Sequence, residues 1–293
     1  MKKFSKTNDQ ITNKLKFSFF PGCSLKASGN ENTLSLLKFF EQVNIKLVEL
    51  EDWSCCGSSS AHSVNRKISE LLALRNIFLA SKDMPLLIAC PSCLLRTKTT
   101  YNSVKKEKAK KKEYEQYWGK KFNDELEIIH FFEIFDKIHF EDYKDKFEGK
   151  LKNLKVASYY GCMLSMPPSL RFEKKYTGIM EKTLSNLGAK NIYFGYSTKC
   201  CGTYLSVAKP LIVQKVANKI MSEAINAGAE CLVTACSMCH LNLEIRCTLK
   251  NKIPVFHFSE LISMALGAED RKKWFPRHII DPLPLLKKYE LIE

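Results

Sequence analysis

The amino-acid sequence predicts an α/β protein made of two similar cysteine-rich domains, each with a small, mostly parallel sheet. Three observations carry that prediction. Short apolar runs alternate with stretches of helical period along the whole chain. Ten of the twelve cysteines fall into one pattern that is used twice. The segments flanking those cysteines also recur, so the pattern is an internal duplication and not a coincidence of composition. A length of 293 residues, 45% of them hydrophobic and 26% charged, is enough to bury real cores and excludes a disordered or collagen-like chain.

The first copy begins with an apolar run at 17–20 that leads into the Gly22-Cys23 turn. Leu36, Phe40 and Val43 follow at helical spacing. A second strand, 46–50, precedes Cys55-Cys56-Gly57, and a third, 86–89, delivers Cys90 and Cys93. A fourth, 127–130, ends at His130-Phe131. The second copy repeats this order. A strand at 155–160 leads to Gly161-Cys162, and Tyr176, Met180, Leu184 and Leu187 mark the helix. A strand at 191–194 precedes Cys200-Cys201-Gly202, and Val213, Val216, Ala217, Ile220 and Ala224 form one apolar helix face. Strands at 231–235 and 253–257 lead to Cys236/Cys239 and to His257-Phe258. The boundaries read as a basic arm at 1–16, a first domain at 17–150, a second at 151–266 and a basic, apolar tail at 267–293. The gap from the last cysteine to the repeated histidine is longer in the first copy, so the segment 105–121, with eight Lys and three Glu, reads as an insertion.

In parallel α/β sheets, ligands sit beyond the carboxyl ends of the strands, where this order puts all ten repeated cysteines. The spacings are C-x31-C-C-x33-C-x2-C and C-x37-C-C-x34-C-x2-C. In a reducing compartment such cysteines are metal or redox ligands before they are disulfides. A zinc ion takes four tetrahedral ligands, usually from separated pairs. Five thiols, two of them on adjacent residues whose side chains diverge, suit an assembly of several irons better. The ferredoxin spacing C-x2-C-x2-C-x3-C-P is absent. Zinc in one of the two sets is the alternative filling.

These residues resemble the CCG repeat of the heterodisulfide reductase family, in its B-type, cysteine-rich component. The resemblance spans roughly 17–262 and rests on Phe20-Pro21-Gly22-Cys23-Ser24, Cys55-Cys56-Gly57, Ser60-Ala61-His62-Ser63 and Tyr159-Tyr160-Gly161-Cys162. It implies that Cys23, Cys55, Cys56, Cys90 and Cys93 hold one noncubane [4Fe-4S] cluster, and Cys162, Cys200, Cys201, Cys236 and Cys239 another. It further implies an oxidoreductase acting on sulfur groups, in which a disulfide is reduced, or formed, between the clusters by paired one-electron transfers. His62 matches a family position and is the candidate proton donor to a departing thiolate. Where relatives carry an Arg-Pro pair after Tyr-Tyr-Gly-Cys, this chain has Met166-Pro167, with Arg171 the nearest guanidinium. The alternative function is a cysteine-rich electron-transfer subunit of a quinone-linked succinate/fumarate reductase or a glycolate/lactate oxidase complex.

His130 and His257 share a repeat position and read as fold-maintaining. Cys231 and Cys247 have no counterpart in the other copy and read as buried thiols. There is no G-x-G-x-x-G and no P-loop, so the electrons are expected from a ferredoxin-type iron–sulfur subunit, with a flavoprotein upstream. The net charge of +15 sits in the segments 1–16, 96–121 and 271–288, which is not the distributed basic face of a nucleic-acid-binding protein. No apolar stretch reaches membrane-spanning length, and the N-terminus lacks a signal-peptide core. The expected location is the cytoplasm, with peripheral contact at the inner face of the membrane open through a complex.

Overall fold

β1 (Lys16–Phe20) buries four of its five residues, and β3 (Leu86–Ile88) and β4 (Ile128–His130) bury all three of theirs. Strands hidden on both faces are what a parallel sheet covered by helices requires. With β2 (Lys46–Glu49) they form a four-stranded sheet of order β2-β1-β3-β4 in which every pairing is parallel. The computed structural model describes residues 15–58, 61–135, 150–167, 176–269 and 273–292. Its second sheet has the same order, β6-β5-β7-β8, from β5 (Lys155–Tyr159), β6 (Lys190–Asn191), β7 (Cys231–Thr234) and β8 (Val255–His257). Two sheets of one topology in one chain are the duplication made visible. The strand expected at 191–194 pairs over only two residues, because the chain then turns so that Tyr160 and Gly161 both donate backbone N–H groups to Ser197 O.

Crossover helices complete each unit. In the first, α1 (Gly22–Lys26) and α2 (Asn30–Gln42) follow β1, and Leu36, Phe39 and Phe40 of α2 are buried. After α3 (Ala61–Val64), α4 (Arg66–Leu79) is capped by Asn65, whose side chain accepts the Ile68 N–H at 3.0 Å. α5 (Pro91–Lys106) has proline at its first position, where no N–H is needed. The basic segment 105–121 is the end of α5 plus an extra helix, α6 (Lys108–Trp118). That helix is docked on the domain and is not merely solvated. Tyr114 is buried, and Lys110 pairs with Glu70 of α4 at 2.5 Å. The second unit uses α7 (Ile179–Asn186), α8 (Pro210–Asn226), α9 (Ser237–Arg246) and α10 (Phe258–Ala265).

The two units interlock. α2 of the first packs against α10 of the second, with Ser35 Oγ 2.6 Å from Ser259 Oγ and Gln42 Nε2 donating to Ser263 O at 3.2 Å and Leu266 O at 3.1 Å. On the other side, the Tyr176 hydroxyl donates to Glu133 Oε1 at 2.8 Å. Between them lies an aromatic knot in which Phe39 stacks on Phe135 at 5.4 Å and Phe132 meets Phe258 at 5.3 Å. Each fully buried ring stabilises the union by about 1.5–3 kcal/mol. The tail also packs inward: Trp274 and Phe275 are buried, as is Leu286 of α11 (Leu283–Lys288), and Lys152 pairs with Glu290 at 2.9 Å.

Candidate metal centres

All ten repeated cysteines lie on the carboxyl-end side of their sheets. Cys23 is the second residue of α1, close behind β1, and Cys55 and Cys56 lie in the loop after β2. Asn76 of α4 holds that loop, accepting from Ser54 N at 3.0 Å and donating to Ser54 O at 2.8 Å. Cys90 is the N-cap residue of α5, and Cys93 sits in its first turn, at the positive end of the helix dipole where thiolates are favoured. The Cys23 and Cys55 sulfurs are 3.7 Å apart, those of Cys56 and Cys93 3.1 Å, and Gly57 N–H donates to Cys55 Sγ at 3.4 Å.

The second set repeats the arrangement. The sulfurs of Cys201 and Cys239 are 3.5 Å apart, and Gly202 N–H donates to Cys200 Sγ at 3.3 Å. Asn242 fixes the adjacent-cysteine loop by donating to Cys201 O at 2.9 Å. In each set the adjacent-cysteine loop is pinned by an asparagine from a different helix, so the repeat pattern held no sign of Asn76 or Asn242. Exposure is matched in number but swapped between the two equivalent positions. Cys23 and Cys200 are exposed, Cys55 and Cys162 intermediate, and the other three of each set are buried. All twelve thiols are free, so no set is stitched into cystines. Cys231 and Cys247 are buried within the core.

The thiols of a set share protons. The hydrogen bond with Cys23 holds Cys55 down at about 2, while Cys23 itself moves up. Contact with Cys55 pushes Cys56 up to about 12, and contact with Cys93 brings Cys90 down to about 7. In the second set, Cys162 holds Cys200 down at about 6, and Cys239 lowers Cys201. Each set therefore contains ready thiolates beside thiols that a metal would have to deprotonate. Five sulfurs gathered at one rim exceed the four ligands of a single tetrahedral ion, which fits a cluster of several irons.

His130 and His257 bond the backbone just before Cys90 and Cys236. His130 Nε2 donates to Ala89 O at 3.0 Å, directly before Cys90, and its Nδ1 accepts from Phe132 N. His257 accepts from Ser259 N through Nδ1 and bonds the backbone of Ala235, directly before Cys236. Each ring thus ties the end of a central strand to the next element. Burial pushes His130 down to about 3 and His257 to about 4, so both are neutral. His62 is on α3, but its side chain lies outside the described residues, as does Arg171. The two domains meet near the sites: α1 contacts α9, and a Cβ placed on Gly29, just past α1, would stand 3.0 Å from Ser237 Cβ, which lies between Cys236 and Cys239 in the chain.

The cysteine-rich domain known as CCG matches residues 17–98 and 156–244. The chain is 29% identical over 282 residues to the 8-methylmenaquinol:fumarate reductase membrane anchor subunit of Wolinella succinogenes, covering 92% of this chain and 98% of that one. It is 26% identical over 307 residues to the B-type component of the ferredoxin:CoB-CoM heterodisulfide reductase of Methanosarcina mazei, covering 94% and 98%. Among solved structures, a hypothetical protein from Helicobacter pylori superimposes with a TM-score of 0.70 at 12% identity, over 90% of this chain. The chain spans about half, 51%, of that protein, and the likeness is one of fold. Two copies of one sheet order, two matched five-cysteine rims and two domain matches lead to one conclusion: the chain belongs to the CCG cysteine-rich domain family.

Proposed function

We propose that this chain is the iron–sulfur subunit of a larger oxidoreductase complex and that it acts on a disulfide bound between its two cysteine sets. Cys23, Cys55, Cys56, Cys90 and Cys93 would hold one noncubane [4Fe-4S] cluster, and Cys162, Cys200, Cys201, Cys236 and Cys239 the other. When bound, such clusters supply single electrons, and two of them match the two electrons a disulfide takes up. The carrying observation is the contact of Gly29, six residues past Cys23, with Ser237, directly after Cys236, which supports a junction of the two domains beside both sets.

The chain's own residues supply geometry and shelter. Three buried cysteines per set keep water from the inner side, and two more accessible ones face outward. His62 would donate the proton that a departing thiolate needs. Electrons would arrive from a ferredoxin-type iron–sulfur subunit fed by a flavoprotein, in a complex on the cytoplasmic side of the membrane. Among the described residues, no helix is long and apolar enough to cross a membrane.

A second reading, electron relay in a quinol-linked fumarate reductase, is favoured by the match to nearly the full length of the Wolinella succinogenes protein. The test uses the anaerobically purified complex with Cys56→Ser and Cys201→Ser. Each variant is expected to lose about half of the iron and acid-labile sulfide, together with disulfide reduction. Unchanged disulfide turnover in either variant would sink the first reading. Loss of quinol-dependent fumarate reduction, with disulfides untouched in the wild type, assigns the second. Zinc in place of iron in one set would appear directly in the same metal count.

A further inference from the structure

We propose a separate divalent-cation site of the zinc class, formed by His240, Glu244 and His278 at the junction of the two domains. His240 and Glu244 stand four residues apart on α9 and so share one face of it. His278 arrives from the tail, just after a 3-10 turn at Phe275–Arg277. Their side chains are 2%, 2% and 0% exposed. Glu244 Oε1 lies 3.5 Å from His240 Nε2 and 3.3 Å from His278 Nδ1, and the three atoms all fall within 4.8 Å of one another. Tetrahedral zinc with nitrogen and oxygen ligands at about 2.0–2.2 Å separates its ligand atoms by about 3.3–3.6 Å. The two closer edges of this triangle already have that length.

The surroundings prepare these atoms as ligands. His240 Nε2, Glu244 Oε1 and His278 Nδ1 are all buried and make no well-aligned hydrogen bond, facing only one another. The opposite atom of each group is engaged. His240 Nδ1 lies 3.0 Å from Asn32 Oδ1, His278 Nε2 lies 2.9 Å from Glu260 Oε1, and Glu244 Oε2 accepts from Ile279 N at 2.9 Å. The contacts with Asn32 and Glu260 fix both rings so that their remaining nitrogens face Glu244, the orientation a metal ligand needs. Three buried carboxylates, Glu31, Glu244 and Glu260, surround two imidazoles, and a divalent cation offsets most of that charge. The ligands are nitrogen and oxygen only, although His240 directly follows Cys239. The ion would join α9 to the tail and, through Asn32, to the first domain.

The experiment measures zinc in the anaerobically purified full chain, beside iron and sulfide, and records zinc-edge X-ray absorption. The expected result is about one zinc with nitrogen and oxygen neighbours near 2.0–2.1 Å. His278→Gln is expected to lose that zinc while iron and sulfide stay unchanged, and Asn32→Ala to weaken zinc binding about tenfold. Three results would overturn the site: no zinc in the wild type after incubation with zinc and dialysis, sulfur neighbours near 2.3 Å, or full zinc retention in His278→Gln. The first would leave the cluster as an ion-pair network with His278 bridging Glu244 and Glu260. If His278→Gln does not fold, the wild-type absorption spectrum decides alone. Because iron and sulfide are counted separately, failure here is distinguishable from failure of the cluster reading.

Discussion

His130 and His257 show how single residues set conditions for the whole protein. Both rings are buried and neutral, with folded values near 3 and 4 against about 6.5 in an unfolded chain. A lowered histidine contributes stability that is complete above about pH 6.5 and is lost as pH falls toward the folded value, because the unfolded chain then takes up the proton. Each ring thus removes about 1.4 kcal/mol per pH unit across that window. Chemical denaturation at pH 7.0 and 5.5 should show this loss, and His130→Asn should reduce it by about 1.4 kcal/mol. The same variant should cost about 1–3 kcal/mol at pH 7.0, where Ala89 O is left without its donor. An unchanged pH dependence in His130→Asn would contradict the neutral-ring assignment. The repeat position of these histidines was legible in the sequence. Their bonds to Ala89 and Ala235 were not, since those partners lie just past the ends of neighbouring strands, β3 and β7.

Among the elements, the turn into each sulfur site is the most demanding. Gly22 has φ +75°, and a Cβ there would sit 3.0 Å from Cys93 Sγ; Gly161 has φ +64°, with Cys239 Sγ at 3.2 Å. Gly22→Ala therefore adds left-handed strain of about 1–2 kcal/mol and pushes a sulfur aside. The expected outcome is loss of about half the iron, from the first set alone. Gly119→Ala, at φ +61° but with nothing within 4 Å, should cost only the strain and keep full iron. Equal iron in both variants would show that the close approach to sulfur is unimportant. The strands themselves were readable because a buried parallel strand is a short apolar run, and the runs at 17–20, 86–89 and 231–235 became β1, β3 and β7. The dock of α6 was less legible. Tyr114 is one aromatic residue in a field of lysines, and its burial depends on α4 lying alongside.

At the scale of the molecule, the halves depend on each other. Phe39, Phe131, Phe132 and Phe135 from the first domain share one core with Phe258, Leu261 and Ile262 from the second. Residues 17–150 or 151–293 expressed alone would expose this face and should elute as aggregates in size-exclusion chromatography, whereas co-expressed halves should elute as one complex. Two well-behaved single domains would contradict the shared core. This union was not legible in the sequence, because Ser35 and Ser259 touch across more than two hundred residues and belong to no motif. The His240/Glu244/His278 group was half legible: the four-residue step marks one helix face, but His278 comes from a tail with no recurring pattern. The outward cysteines carry a last consequence. Before any metal arrives, exposed Cys23 and half-buried Cys55 stand with their sulfurs 3.7 Å apart. Molecular oxygen needs only to withdraw two electrons, and Cys23 to give up the one proton the pair still holds, to weld them together. A newly made chain is thus in a race between cofactor delivery and air, and the cell that makes it has to win that race by staying anoxic or by loading the site early.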